Sequence, residues 1–174
     1  MQDSEQPYVA ADIGADTESQ RLQLLEVCRD PGTIRRLDQL GVSRGWRCLE
    51  IGAGHGSIAR WLADRVAPTG SVIAADIDPR FLTNMPAGVD VRRVDIRHDD
   101  LEAETYDLVH CRALLMHLPD PTAALARMVA ALRPGGLLLV EEGDYGLWSY
   151  SGPADAPRLN KLVTDALTKL AAAK

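Results

Sequence analysis

The sequence has 174 residues, of which 46% are hydrophobic and 25% charged, a composition typical of a globular domain with its own core. Its formal net charge of −6 would repel a phosphate backbone, so nucleic acid is not expected as a substrate. The three cysteines Cys28, Cys48 and Cys111 form no CxxC pair. This pattern opposes a disulfide framework and a zinc site, and it predicts a reducing, cytoplasmic location.

The first 45 residues are predicted to form an N-terminal arm and helices. The opening segment, MQDSEQPYVA, is acidic and polar, whereas a signal peptide begins basic and continues apolar. No apolar run approaches the roughly 20 residues that span a bilayer. A soluble, unprocessed protein is therefore expected.

Two helices are predicted within this N-terminal part. Apolar residues recur at helical spacing from Leu22 to Cys28, after a loop that extends to about Ser19. Asp30 followed by Pro31 is typical of an N-cap and a first helical residue, and so predicts the start of a second helix that ends at Gly41.

Residues 46–174 are predicted to form the core domain, because short apolar runs alternate there with amphipathic helices. That alternation is typical of a parallel sheet covered on both faces. The strands are predicted at residues 47–51, 71–75, 89–94, 106–111 and 137–141. The helices are predicted at residues 57–66, from 79, at 121–132 and from about 156.

The segment LEIGAGHGS, residues 49–57, carries the strongest functional signal. An apolar strand is followed by glycines at alternate positions and then by a helix, so the backbone can turn sharply and let a ligand lie against the main chain. Glu50 precedes Gly52 by two residues. A carboxylate there opposes a pyrophosphate and suits a cation such as S-adenosylmethionine, and the spacing is GxGxG rather than the GxGxxG of dinucleotide-binding loops.

Two aspartates follow the next two predicted strands. Asp76 lies 22 residues after Gly54, where its carboxylate can accept hydrogen bonds from both ribose hydroxyls, as in dehydrogenases. Asp95 precedes Ile96, and its carboxylate can accept a hydrogen bond from the adenine amino group. An aspartate that only stabilises a turn would show the same sequence pattern. Both positions favour a cofactor that contains adenosine.

Five segments in order make the chain resemble the class I S-adenosylmethionine-dependent methyltransferase family, in particular its small-molecule methyltransferases. They are LEIGAGHG (49–56), AADIDPRFL (74–82), VDI (94–96), YDLVHCRALLMHLPD (106–120) and LRPGGLLLVEE (132–142). The resemblance implies a Rossmann-like, three-layer αβα sandwich with parallel strand order 3-2-1-4-5. It also implies S-adenosylmethionine as cofactor, with S-adenosylhomocysteine as product.

The resemblance implies a role for each matching residue. Those facing the methionine part, the ribose or the adenine of the cofactor would be Glu50, Gly52, Gly54, Asp76, Ile77, Asp95 and Ile96. His55 would shape the pocket, and the backbone at Cys111 and Arg112 would hold the methionine amino group. Tyr8 and Arg21 would fold over the cofactor as an N-terminal lid, although their spacing departs from the family pattern.

His117 is the candidate catalytic residue, because the family has a histidine before LPD near the mouth of the site. Its ordinary pKa suits removal of a proton from a hydroxyl near neutral pH. The alternative is a structural histidine that closes a turn. His98 and His110 have no partner at metal-ligand spacing, so no metal is expected.

The segment after Glu142 departs from the family pattern. The family adds two strands after strand five, whereas the residues from 143 onward are predicted as a loop and one helix. Strand five would then be an open edge, which natural proteins usually cover. The chain is therefore expected to be truncated, or to be covered there by a second chain, as in a homodimer.

Three functions remain open from the sequence. The first is methyl transfer to the O, N or C nucleophile of a small molecule, by alignment of the acceptor behind an activated methyl group. The second is a non-catalytic S-adenosylmethionine-binding module. The third is an NAD(P)-dependent oxidoreductase, which would share Asp76 and the glycine loop but is opposed by Glu50 and the glycine spacing.

Overall fold

A computed structural model describes residues 14–143. The chain divides into two compact units, Met1–Glu142 and Gly143–Lys174, and the description below concerns the first. The predicted last helix from residue 156 lies outside the described residues. Within them, no helix is long and apolar enough to cross a membrane.

The described part contains three α-helices and five strands. In chain order they are α1 (Ala15–Gln39), β1 (Arg47–Ile51), α2 (Ser57–Val66), β2 (Ser71–Asp76), β3 (Val89–Arg93), β4 (Tyr106–Arg112), α3 (Pro121–Ala131) and β5 (Leu132–Glu141). Two short 3-10 turns follow β2 and β4, at Pro79–Phe81 and Leu115–His117.

The five strands form one parallel sheet in the order β3-β2-β1-β4-β5. The predicted strand order and Rossmann-like class are therefore confirmed. Because the order reverses between β1 and β4, the carboxyl ends of these two strands flank the crevice in which open α/β sheets bind ligands.

Apolar side chains cover both faces of the sheet. On one face, α1 and α2 pack on β1, β2 and β4, with Leu37 and Leu62 fully buried beside Leu108. On the other face, α3 places Met128 against Val109 and their neighbours. The result is the expected three-layer sandwich.

The prediction of two N-terminal helices is wrong. Residues 15–39 form one helix that begins before Ser19 and continues through Pro31. Pro31 has no N–H to donate to the carbonyl four residues earlier, yet the helix is held on both sides of it by contacts with the sheet. Asp30 caps no helix; its carboxylate accepts a hydrogen bond from Arg112 on β4 at 2.9 Å.

β5 begins five residues earlier than predicted. Leu132 pairs with Tyr106, and the next pair joins Leu137 to Leu108, so the ladder shifts register between them. Gly135 adopts φ 80° in this stretch. The Pro-Gly-Gly turn signal thus marks an irregularity within the strand.

Candidate functional site

The glycine loop after β1 is tied to the end of β2. The amides of Gly52 and Ala53 donate to the carbonyl of Ala75, at 2.8 and 3.1 Å. Gly54 and Gly56 have φ values of 58° and 80°, in the left-handed region that favours glycine. Gly56 also lies directly before α2, so the loop delivers the chain to a helix N-terminus.

Asp76 shapes this loop from β2. Its two carboxylate oxygens each accept one backbone N–H, Oδ2 from Gly54 and Oδ1 from Asp78, both at 2.9 Å. Burial raises the pKa of Asp76, and the two amide hydrogen bonds partly offset that rise. Each oxygen retains acceptor capacity for a further donor.

Helix α1 lies against the glycine loop. A Cβ atom at Gly54 would be only 3.2 Å from Cδ2 of Leu22. Ser19 and His55 are joined at 3.2 Å between Oγ and Nε2, and Glu26 accepts a hydrogen bond from the amide of Ser57 at 3.3 Å. His55 therefore links helix and loop, and its predicted role in shaping a cofactor pocket stays a prediction.

A buried charged row crosses the sheet on the side of α1. Glu50 on β1 lies opposite His110 on β4, with 3.5 Å between Oε1 and Nδ1. The other ring nitrogen of His110 is 3.3 Å from Oε2 of Glu141 on β5. Arg36 of α1 donates to Oε1 of Glu141 at 2.9 Å.

The pKa values of two members of this row are shifted. Burial lowers the pKa of His110, but the two carboxylates outweigh burial and hold it above its ordinary value. Burial raises the pKa of Glu141, but His110, Thr33 and Arg36 lower it to about 2. The imidazole is therefore stabilised in its charged form between carboxylates.

Oε2 of Glu50 is the unsatisfied acceptor of the site. Glu50 is 5% exposed, and within residues 14–143 this oxygen has no hydrogen-bond partner. A buried carboxylate oxygen left in that state is costly unless another donor reaches it. The row thus contains one buried acceptor that lacks a partner, near the carboxyl end of β1.

The predicted pair at the end of β4 has two different environments. Cys111 is fully buried, and burial, assisted by neighbouring carboxylates, raises the pKa of its thiol to about 12. The side chain of Arg112 donates to Asp30 and to Thr33, at 2.9 and 3.0 Å. Arg112 therefore joins β4 to α1 through its side chain.

Asp95 and Ile96 form a tight turn after β3. The carboxylate of Asp95 accepts from the guanidinium of Arg97 at 2.7 Å and from its amide at 3.0 Å. Hydrogen bonding from Arg97 lowers the pKa of Asp95. Ile96 is buried in the core, and Ile77, after β2, is half-buried with its carbonyl accepting from Arg93.

The two candidate lid residues differ in what the structure describes. Arg21 lies on α1 and forms two hydrogen bonds with the buried Glu18, at 2.6 and 2.7 Å. Tyr8 lies outside the described residues. Their proposed contact with the cofactor stays a prediction.

His117 ends the 3-10 turn that follows β4, and its side chain is exposed. Glu142 anchors this turn by accepting hydrogen bonds from the amides of Leu114 and Leu115, at 3.0 and 2.9 Å. The catalytic role of His117 stays a prediction. No group of three or more potential metal ligands occurs in the described part of the chain.

Residues 49–138 match the family described as "Methyltransferase domain". The chain belongs to the class I S-adenosylmethionine-dependent methyltransferases. It is similar to the methyltransferase str2 of Strobilurus tenacellus, with 32% identity over 68% of this chain and 42% of that protein. It is also similar to a ubiquinone biosynthesis O-methyltransferase of Hahella chejuensis, with 30% identity over 69% of this chain and 52% of that protein.

The fold of this methyltransferase domain is shared with a TehB-like S-adenosylmethionine-dependent methyltransferase from Corynebacterium glutamicum. The TM-score is 0.62 with 21% identity, covering 85% of this chain and 81% of that one. The chain spans about half, or less, of the length of the two curated relatives above.

The residues of this methyltransferase domain fit its family's cofactor. The unsatisfied oxygen of Glu50 suits a cationic group, and Asp76 keeps acceptor capacity for hydroxyl groups. Acids at both positions suit a ligand without phosphates. S-adenosylmethionine, which has positive charges and a ribose, meets these demands.

Four residues near the site were not predicted from the sequence: His110, Glu141, Glu142 and Glu26. One signal for His110 was present: a histidine in the middle of an apolar strand needs a buried partner. If β4 is aligned in parallel with β1, Glu50 becomes that partner. The others depend on contacts between residues far apart in sequence.

Proposed function

We propose that this domain binds S-adenosylmethionine at the carboxyl ends of β1, β2 and β4, and that the protein containing it methylates a small molecule. The observation that carries the proposal is the buried, unsatisfied carboxylate oxygen of Glu50 beside a glycine loop tied to Asp76. Glu50 would face the methionine part of the cofactor, and Asp76 with Ile77 would hold the ribose and adenine. Asp95 and Ile96 would line the adenine edge.

S-adenosylmethionine, when bound, supplies an already activated methyl group. The chain's own residues then need to bind, orient and exclude water. Gly52 and Gly54 let the backbone approach the ligand, and the backbone at Cys111 and Arg112 would hold its amino group. Tyr8 and Arg21 would close over the site.

His117 is proposed as the residue that accepts a proton from the acceptor molecule. It is an exposed residue at the end of the turn that follows β4, and imidazole side chains can accept a proton near neutral pH. Glu142 would fix that turn through its hydrogen bonds to Leu114 and Leu115.

A small-molecule acceptor is favoured over a nucleic acid. The net charge of −6 opposes binding to a phosphate backbone, and one curated relative is named for ubiquinone biosynthesis. The acceptor atom, whether O, N or C, is left to experiment.

The test is an assay of methyl transfer with the full chain, S-adenosylmethionine and a panel of phenols, amines and activated carbon acids. Formation of S-adenosylhomocysteine together with a product heavier by one methylene unit would support the proposal. Tight cofactor binding without turnover of any acceptor would favour the alternative, a non-catalytic S-adenosylmethionine-binding module.

A second chain is proposed to cover the outer edge of β5. Within the described residues, β5 pairs only with β4, and open edges of sheets are usually covered. Sedimentation velocity of the full chain tests this: a homodimer is expected, and a monomer at all micromolar concentrations would contradict it.

A further inference from the structure

His110 is surrounded by acids although it lies in the centre of the sheet. The side chain is 0% exposed, with Glu50 at 3.5 Å from one ring nitrogen and Glu141 at 3.3 Å from the other. The register of the parallel strands fixes this arrangement, since Glu50 is the direct partner of His110 on β1.

The geometry favours a charged ring. A neutral imidazole has one N–H and one bare lone pair, so one of its nitrogens would direct a lone pair at a carboxylate. An imidazolium has two N–H groups and can face both acids. The fold therefore places the His110 ring between two acids, an arrangement that stabilises the charged form of the ring.

We propose that His110 is a positioning residue, which pairs with the carboxylate of Glu50 and keeps that carboxylate available to the cofactor. This inference rests on the proposed function, because Glu50 is the acid assigned there to the cofactor. Two buried atoms of the row lack a hydrogen-bond partner, Oε2 of Glu50 and Nδ1 of His110. Both lie on the β1 side of the row, where the cofactor is proposed to bind.

Glu50 depends on His110 for its counter-charge, whereas Glu141 does not. Glu141 has a second cation, because Arg36 of α1 donates to it at 2.9 Å. Within the described residues, the only cation paired with Glu50 is His110. Loss of the imidazolium would therefore leave Glu50 as a buried acid without a counter-charge, which burial drives toward the protonated form.

The remaining titratable groups near the row do not supply another cation to Glu50. Asp76 on β2 adds negative charge near it. The buried thiols of Cys48 and Cys111 have pKa values raised to about 12 and stay neutral. Arg112 on β4 is engaged with Asp30 of α1.

The experiment measures the Kd of S-adenosylmethionine for the full-length wild type and for His110→Gln between pH 6.0 and 8.5. The ratio of the two Kd values is compared at each pH, so that any titration of the cofactor itself cancels. We expect the ratio to be largest at pH 6.0 and to fall about tenfold or more by pH 8.5, as the buried acid ionises. Leu108→Ala, two residues earlier on the same face of β4, removes packing without charge and should give a constant ratio.

A second measurement does not depend on how well the variant folds. The imidazole ¹⁵N shifts of wild-type protein at pH 7.5 should show one fully protonated ring. Its signal is assigned to His110 if it remains in variants that replace His55, His98 or His117. A neutral His110 ring would overturn the inference, as would a pH-independent Kd ratio for His110→Gln. Failure of the wild type to bind at any pH would instead remove the proposed function.

Discussion

The amide of Gly54 donates a 2.9 Å hydrogen bond to Oδ2 of Asp76, which links the loop after β1 to the end of β2. The carboxylate proposed to hold the ribose therefore also holds the loop that the cofactor would contact. Any change at Asp76 should alter both the ligand contacts and the shape of the loop.

Asp76→Asn should weaken S-adenosylmethionine binding by roughly 10- to 100-fold, because hydrogen bonds to a charged group contribute about 1.5–3 kcal/mol. The amide nitrogen of asparagine cannot accept a hydrogen bond. At least one of three donors therefore loses its acceptor: the amide of Gly54, the amide of Asp78 or a ribose hydroxyl. Isothermal titration calorimetry measures the effect. Asp90→Asn, on the exposed surface of β3, is the control, and equal affinities for the two variants would refute the role of Asp76.

Gly56→Ala should destabilise the domain more than Gly41→Ala. Both glycines have φ 80°, so alanine is strained at either position. A Cβ atom at Gly56 would also lie 2.8 Å from Leu82 and 2.9 Å from Met85, whereas Gly41 has open space around it. Because the clash is with the ends of two flexible side chains, overpacking should add about 1 kcal/mol, the low end of its usual range, in urea unfolding. Equal losses would show that Leu82 and Met85 move aside freely.

Glu141→Gln should change how the free energy of unfolding depends on pH below 4.5. The pKa of Glu141 is lowered from 4.5 to about 2 in the folded protein, so folding gains stability from its ionised form at any pH above 4.5. That gain disappears as the pH falls from 4.5 toward 2. The difference in unfolding free energy between wild type and variant should therefore shrink over this interval, and a constant difference would contradict the assigned ion pairs.

The Arg112–Asp30 ion pair should stabilise the docking of α1. Their side chains are only 13% and 21% exposed, so a double-mutant cycle with Arg112→Gln and Asp30→Asn should give a coupling of about 1 kcal/mol or more. The pair Arg80–Asp78, with side chains 48% and 49% exposed, provides the matched control. Its coupling should stay below about 0.5 kcal/mol, and similar couplings for both pairs would refute the argument.

The core of the fold could be predicted because its signals are local. Strands β1, β2 and β4 are short, mostly apolar runs bounded by turn residues, and the predicted bounds of β1 to β4 differ from the observed ones by no more than one residue. The glycine loop and Asp76 could also be predicted, because each is defined by its residue type and by its position at the end of a predicted strand.

The parts that were missed or wrong depend on distant partners. Asp30 before Pro31 has the local pattern of a helix start, but Arg112, 82 residues later, binds its carboxylate and the helix continues. The row through Glu50, His110 and Glu141 exists only once three strands are in register. No local pattern specifies such a contact.

Calorimetric titration of the full chain with S-adenosylmethionine, S-adenosylhomocysteine and NAD determines whether this domain binds S-adenosylmethionine. We predict saturable, micromolar binding of the first two at one site and no heat of binding with NAD. Binding of NAD, or folded protein that binds neither S-adenosyl compound, would show that this is not an S-adenosylmethionine site.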